Sequence, residues 1–152
     1  PSFADARPTT CFSWFNYMEK LTSIEGFEYL NTSKVTNMEK MFCFCMDLQS
    51  LDLSYFDTSN VTNMSDMFSF CYDLESLNLA SFNTSKVEEM SGMFNQCWKL
   101  QDIYVSELFV VPQKDLKTQY MFNDCRKLPN YDKYETDYHR AYYGTKDSKG
   151  GY

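Results

Sequence analysis

Hydrophobic residues return along this chain at a nearly fixed interval. Aligned on the dipeptide Met-Phe, the sequence shows Met41-Phe42, Met67-Phe68, Met93-Phe94 and Met121-Phe122, with Trp14-Phe15 in the same place one unit earlier. A cysteine follows the last four phenylalanines by three residues, as Cys45, Cys71, Cys97 and Cys125, and Met18 stands there in the first unit. Three residues further on comes Leu21, Leu48, Leu74, Leu100 or Leu128. The unit is therefore about 26 residues long. A period of this size predicts a solenoid, because one such unit cannot bury its apolar face alone and must stack on its neighbours.

Each unit has two limbs. The first carries L-x-x-L-x-L, as Leu48, Leu51, Leu53 and Leu74, Leu77, Leu79, continued by Leu100, Ile103, Val105 and begun by Leu21, Ile24. This is the strand pattern of a leucine-rich repeat. Alternation turns Leu51 and Leu53 inward and Ser50, Asp52 and Ser54 outward. It predicts short parallel strands centred on Ile24, Leu51, Leu77 and Ile103. The second limb, "FDTSNVTNMSDMF" from Phe56, is rich in Thr, Ser and Asn. Val61, Met64, Met67/Phe68 and Cys71 nevertheless recur at spacings of three and four, which predicts a short helical turn with Ser65 as its N-cap. Stacking would then lay Phe on Phe, Met on Met and Cys on Cys. The pairs Thr58-Ser59 and Thr84-Ser85 are expected to bond exposed backbone at the corners, since short hydroxyl side chains do this well.

These features give an α/β fold class: a right-handed, leucine-rich-repeat-like solenoid of about five coils, with short parallel strands and short helical turns. The repeats run over about residues 12–128 of a single domain, 1–152. Regularity stops at Ser106, where "SELFVVPQKDLKTQY" makes a longer connection. After Leu128 the tail 129–152 is expected to cap the stack. Tyr134, Tyr138 and Tyr142 are spaced by four, Asp132 with Glu135 fits a capping box and Gly144 a C-terminal stop. Tyr134 and Tyr138 would cover the last coil, and residues 145–152 read as loose or as the start of a further strand.

Charge narrows the function. The 152 residues carry a net charge of −7, with a pI near 4.6. A nucleic-acid-binding face needs clustered Lys and Arg, so nucleic acid is not an expected partner, and neither is an anionic membrane surface. No apolar stretch is long enough for a transmembrane helix, so no membrane insertion by this segment is expected. The chain opens at Pro1 without Met and reads as a piece of a longer precursor.

Six cysteines allow disulfides, metal or plain burial. Zinc sites want paired Cys or His ligands, whereas here only Cys43 and Cys45 are close and His139 is the sole histidine. No metal and no cofactor is expected. The ladder cysteines sit where leucine-rich repeats bury a small residue. They are read as buried free thiols, although a bridge between neighbouring coils fits the strand spacing. Cys11 aligns with Met38 and should point inward. Cys43 aligns with Ser69, Asn95 and Asn123 and is expected to be exposed. The nine methionines, among them Met38, Met64, Met67, Met90 and Met93, recur at the repeat period and read as core. The sequons at Asn31, Asn60, Asn63 and Asn83 read as by-products of the repeat.

The phrases "DTSNVTNMSDMF" and "CYDLESLNLASFNTSKV", with "FADARPTT" and "SWF" at the start and "GTKDSKGGY" at the end, resemble the BspA-like leucine-rich-repeat surface proteins of bacteria. The resemblance spans nearly the whole chain and departs from the pattern at Val105–Tyr120 and in the tyrosine-rich tail. It implies an extracellular or cell-surface solenoid, secreted or anchored outside this segment, often as a lipoprotein or part of a wall-attached protein. Some such proteins are associated with adhesion to host matrix proteins. The resemblance brings no catalytic residues.

The outward strand positions are the one polar set that every coil presents on a continuous face. They make Glu25, Ser50, Asp52, Ser76, Asn78, Asp102 and Tyr104 the candidate binding residues, with Tyr104 as the aromatic anchor. The expected function is a non-enzymatic, adhesin-like module for a host or microbial surface protein or glycan. Two alternatives stand beside it. The shared face of Glu25, Asp52 and Asp102 fits a carbohydrate-active enzyme or inhibitor, and a passive spacer needs no site at all. A solvated acidic face explains the same carboxylates without chemistry.

Overall fold

The computed structural model describes residues 6–112 and 117–129; the expected C-terminal cap lies outside the described residues. Within them, like residues of successive repeats lie on one another. The rings of Phe15, Phe42, Phe68, Phe94 and Phe122 stack in that order, with centroids 5.5, 5.5, 5.7 and 5.3 Å apart and planes within 9° of parallel. Around this column Met38, Met41, Met64, Met67, Met90, Met93 and Met121 are fully buried, as are Cys45, Cys71, Cys97 and Cys125. Burying one such side chain stabilises by roughly 1.5–3 kcal/mol, so the columns are the principal source of stability.

The strand limb forms one parallel sheet, β1 (Ser76–Leu79) beside β2 (Asp102–Val105), in the register Ser76 to Asp102, Leu77 to Ile103, Asn78 to Tyr104 and Leu79 to Val105. The alternation holds in β1, where Leu77 and Leu79 are buried and Ser76 and Asn78 exposed. The strands expected at Ile24 and Leu51 do not form. "DIYV" supplies the β-branched and aromatic residues that favour a strand, whereas "SIEG" and "SLDL" place Gly or Asp, which disfavour one, in the same position. A ladder of isolated parallel bridges, Thr10 to Asn37 to Asn63 to Glu89, runs along the other limb and was not expected.

The helical turn expected after Ser65 is also absent, and the backbone hydrogen bonds show why. The N–H groups of Met64, Asp66, Phe68 and Phe70 point out to the next repeat, donating to Glu89, Ser91, Met93 and Asn95 at 2.8–2.9 Å. Only the intervening residues bond locally, Met67 to Met64, Ser69 to Asp66 and Cys71 to Phe68. Alternate donors are thus withdrawn from any i to i−4 helical ladder, and tandem turns result. These turns place two left-handed residues four apart in each unit: Ser13 and Tyr17, Lys40 and Phe44, Asp66 and Phe70, Gly92 and Gln96, Tyr120 and Asp124. Apart from Gly92, all carry a Cβ that the left-handed region disfavours. The hydrogen bonds to the next repeat hold them there. Among the described residues the one helical element is the 3-10 turn Phe27–Tyr29.

The Thr-Ser corners bond backbone as expected, but across repeats. Thr58 Oγ1 donates to the Asn83 carbonyl (3.0 Å) and accepts from the Asn83 N–H (2.9 Å). Thr32 does the same with Asp57, and Thr84 with Val110. All three threonines are about 1% exposed, so these bonds satisfy backbone that water cannot reach. The local turn is closed by the preceding residue, as when Asp57 Oδ1 accepts from Ser59 N–H at 3.0 Å.

Candidate functional site

All seven outward strand residues, Glu25, Ser50, Asp52, Ser76, Asn78, Asp102 and Tyr104, are exposed. The sheet brings four of them together, pairing Ser76 with Asp102 and Asn78 with Tyr104, whose ring is 58% exposed. Asn78 is not wholly available, because its Oδ1 accepts from the Ala80 N–H (3.0 Å). Asp52 Oδ1 accepts likewise from Ser54 N–H (3.0 Å). The Ser54 side chain and N–H hold the Asp52 carboxyl below its ordinary range, so it is ionised throughout the physiological pH range. Glu25 and Asp52 lie apart from the sheet and line a depression with Ile24, Phe27 and Tyr55.

A second surface feature escaped the sequence reading. Tyr17, Phe44 and Phe70 form an outer ladder, with centroids 4.4 and 4.2 Å apart and planes within 6°. Phe70 meets Tyr72 edge-on at 6.2 Å, and Tyr72 stacks on Trp98 at 4.1 Å. Tyr17 and Trp98 are 62% and 47% exposed. The signal was present in the sequence, since 17, 44 and 70 sit two residues after the inner phenylalanines. In the next units Gln96 and Asp124 occupy the position, Gln96 Nε2 donating to Asp124 Oδ2 at 2.6 Å and Trp98 Nε1 to Gln96 Oε1 at 2.8 Å. Because the rings of the ladder cover one another's faces, they turn mostly edges to solvent. A sugar needs an open face to stack on, so the ladder is a poor platform for glycans.

The cysteines have no nucleophilic character. The thiols of Cys45, Cys71, Cys97 and Cys125 donate to the carbonyls of Phe15, Phe42, Phe68 and Phe94 at 2.9–3.2 Å, each reaching back one unit. Burial pushes Cys11 up to about 12 and Cys45 to about 11, and Cys71 and Cys97 well above the ordinary value. A reactive cysteine needs the opposite shift. Cys11 points inward as expected. Cys43 does not lie at the surface: it is 4% exposed and burial pushes it to about 12. Its neighbour in the stack, Ser69, is fully buried too. The position after the inner Phe is roofed by the turns on either side, and polar residue types there misrepresent its environment.

A family model described as "Mycoplasma protein of unknown function, DUF285" matches residues 9–136. The chain belongs to this family. No curated protein matches the chain. Among solved structures, this DUF285 domain is similar to a leucine-rich-repeat protein of T. pallidum, with 17% identity over 86% of this chain and 76% of that one and a TM-score of 0.40. It is also similar to a leucine-rich cell surface protein from Faecalibacterium prausnitzii A2-165, with 19% identity over 66% of this chain and 37% of that one and a TM-score of 0.25. No helix among the described residues of the DUF285 domain is long and apolar enough to cross a membrane.

Proposed function

We propose that the chain is a single-domain, right-handed solenoid of about five coils that serves as a non-enzymatic, adhesin-like binding module of a bacterial cell surface or secreted protein. The observation that carries this reading is the strand face, where exposed polar residues and the Tyr104 ring stand over a core already committed to packing. Such a face is a repeated set of weak contacts. Engaging several units at once multiplies them, as multivalent binding does. The resemblance to BspA-like surface proteins supports the location, and a protein or glycan on the host or on another microbe is the fitting partner.

A carbohydrate-active enzyme is the second reading, motivated by the shared carboxylates. Acid catalysis on a glycoside needs one carboxyl held above its ordinary range. Asp52 is held below it, and the buried thiols offer no alternative nucleophile. Both readings are tested by a host-matrix and glycan binding screen run beside the triple variant Asp52→Ala, Asn78→Ala, Tyr104→Ala. Loss of binding in the variant supports the strand face, equal binding removes it, and turnover of any bound glycan overturns the non-enzymatic reading.

A further inference from the structure

The first unit, Phe15 to Phe42, is one residue longer than the two that follow it. The extra length is taken up at Gly26, with φ 94°, and in the 3-10 turn Phe27–Tyr29. Phe27 folds inward and meets Phe15, Phe42 and Phe56 edge-on, at centroid distances of 5.9, 6.1 and 5.0 Å. Anchoring Phe27 turns Glu28 and Tyr29 outward. Tyr29 is 57% exposed and Tyr55, one unit on, 55%. Neither ring enters the stacked ladders of the described residues, so both keep faces that a ligand can cover.

Two concavities meet here. One, of about 540 Å³, is lined by Arg7, Glu28, Tyr29, Asn31, Tyr55 and Asp57 among others. The other, of about 260 Å³, is lined by Glu25, Glu28, Asp52 and Tyr55. Glu28 and Tyr55 belong to both, which makes one elongated cleft. Four carboxylates line it against the single cation Arg7. Asp52 and Asp57 are each fixed by a turn N–H at 3.0 Å and held below their ordinary range, first by the side chain and then by the N–H of Ser54 and Ser59. They are therefore oriented, permanently ionised acceptors. No three of the described acidic side chains come close enough to share a metal ion, so a point cation does not satisfy them. An extended ligand with spaced cations does.

We propose that this cleft binds a basic, extended peptide segment of a partner protein, seating a Lys or Arg side chain on the Tyr55 ring between Glu28 and Asp52. Cations over a tyrosine face and charge-assisted bonds to fixed carboxylates both favour it, and the net charge of −7 draws such a segment in. The inference deepens the binding-module reading, since Glu25 and Asp52 also belong to the strand face.

The test is titration of a fluorescent hexa-arginine peptide into the whole chain at physiological salt. The double variant Glu28→Gln, Asp57→Asn lies outside the proposed strand-face set and should weaken binding about tenfold, as loss of charged hydrogen bonds does. The control Glu88→Gln, Glu107→Gln makes the same charge change away from the cleft and should change it less than about twofold, since exposed charges are screened. Tyr55→Leu should weaken binding at unchanged charge. Equal losses in the two double variants would mean diffuse attraction and overturn the proposal, as would an absence of saturable binding. Competition by a neutral oligosaccharide would overturn it in favour of a glycan cleft. Asn78→Ala with Tyr104→Ala should leave peptide binding intact, so failure of the strand-face reading and failure of this one are separable.

Discussion

Phe42 and Phe44 stand two residues apart, and each belongs to a stack of parallel rings. The inner stack runs through five phenylalanines, Phe15, Phe42, Phe68, Phe94 and Phe122, and Phe42, Phe68 and Phe94 are fully buried. The outer stack is tighter, with Tyr17, Phe44 and Phe70 spaced at 4.4 and 4.2 Å, yet it ends after three rings. Where it ends, Gln96 and Asp124 continue the column through a side-chain hydrogen bond. The stacking geometry is similar in both, so it cannot be what keeps the inner column uniform. Burial is. An inner position has one solution, a large apolar side chain, while the outer one accepts a ring or a polar pair because water can complete it.

The comparison breaks most visibly at Phe68. Phe68→Ala removes a fully buried ring and leaves a cavity between Phe42 and Phe94, and should cost about 3–5 kcal/mol in chemical denaturation. Next in size is Thr58, which is buried as deeply as the inner rings but contributes hydrogen bonds. Thr58→Val preserves shape and strands both the N–H and the carbonyl of Asn83. The expected loss is about 2–4 kcal/mol, since each buried backbone group left unpaired costs roughly 1–3. A loss below about 1 kcal/mol would mean that water reaches the corner.

The inner column and the corners were legible because a period of 26 names each residue's partner in advance. The cysteine column and the outward face of β1 followed from the same register. What stayed hidden was backbone conformation. The left-handed positions fall on Lys40, Phe44, Asp66 and Phe70, residue types that give no hint of it, because the hydrogen bonds that impose them come from the next repeat. The helical turn drawn from spacings of three and four failed for that reason. Cys43 was misplaced because residue type was allowed to stand for burial. The first-unit cleft was half visible: Gly26 and the extra residue can be counted, but the inward swing of Phe27 that opens it cannot.

The left-handed column between the ladders sharpens the comparison at smaller scale. Gly92 stacks directly on Asp66, and a Cβ at Gly92 would lie 2.3 Å from Asp66 Oδ1. Gly92→Ala should therefore cost about 1–3 kcal/mol, from the contact and from the left-handed φ of 63°. Asp66 itself is unfavourably placed: burial pushes its carboxyl up, with Lys40 opposing and Glu39 adding to the shift. A raised value means the folded state binds the proton more tightly, so stability is lost as pH rises through the window above the ordinary aspartate value. Asp66→Asn keeps a residue type that tolerates the left-handed region. It should raise the melting temperature at pH 7, by a margin that shrinks as the pH falls toward 4. A gain that is the same at both pH values would mean the charge is not the cause.

The smallest expected effect lies in the outer ladder and decides whether the two stacks differ in kind. Phe70→Gly removes a stacked partner from Phe44 and an edge contact from Tyr72, a loss of about 0.5–1.5 kcal/mol for an aromatic pair. It also releases a bulky side chain from φ 62°, which returns roughly 1–2 kcal/mol because glycine adopts the left-handed region without strain. The N–H of Phe70 and its bond to the Asn95 carbonyl are kept. The two terms oppose, and the net change should fall within about 1 kcal/mol of zero, against several for the same ring two residues earlier at Phe68. Denaturation of the two variants side by side checks it. If Phe70→Gly destabilises as much as Phe68→Ala, the outer rings are core in all but exposure, and the contrast between a column fixed by burial and one left open to exchange does not hold.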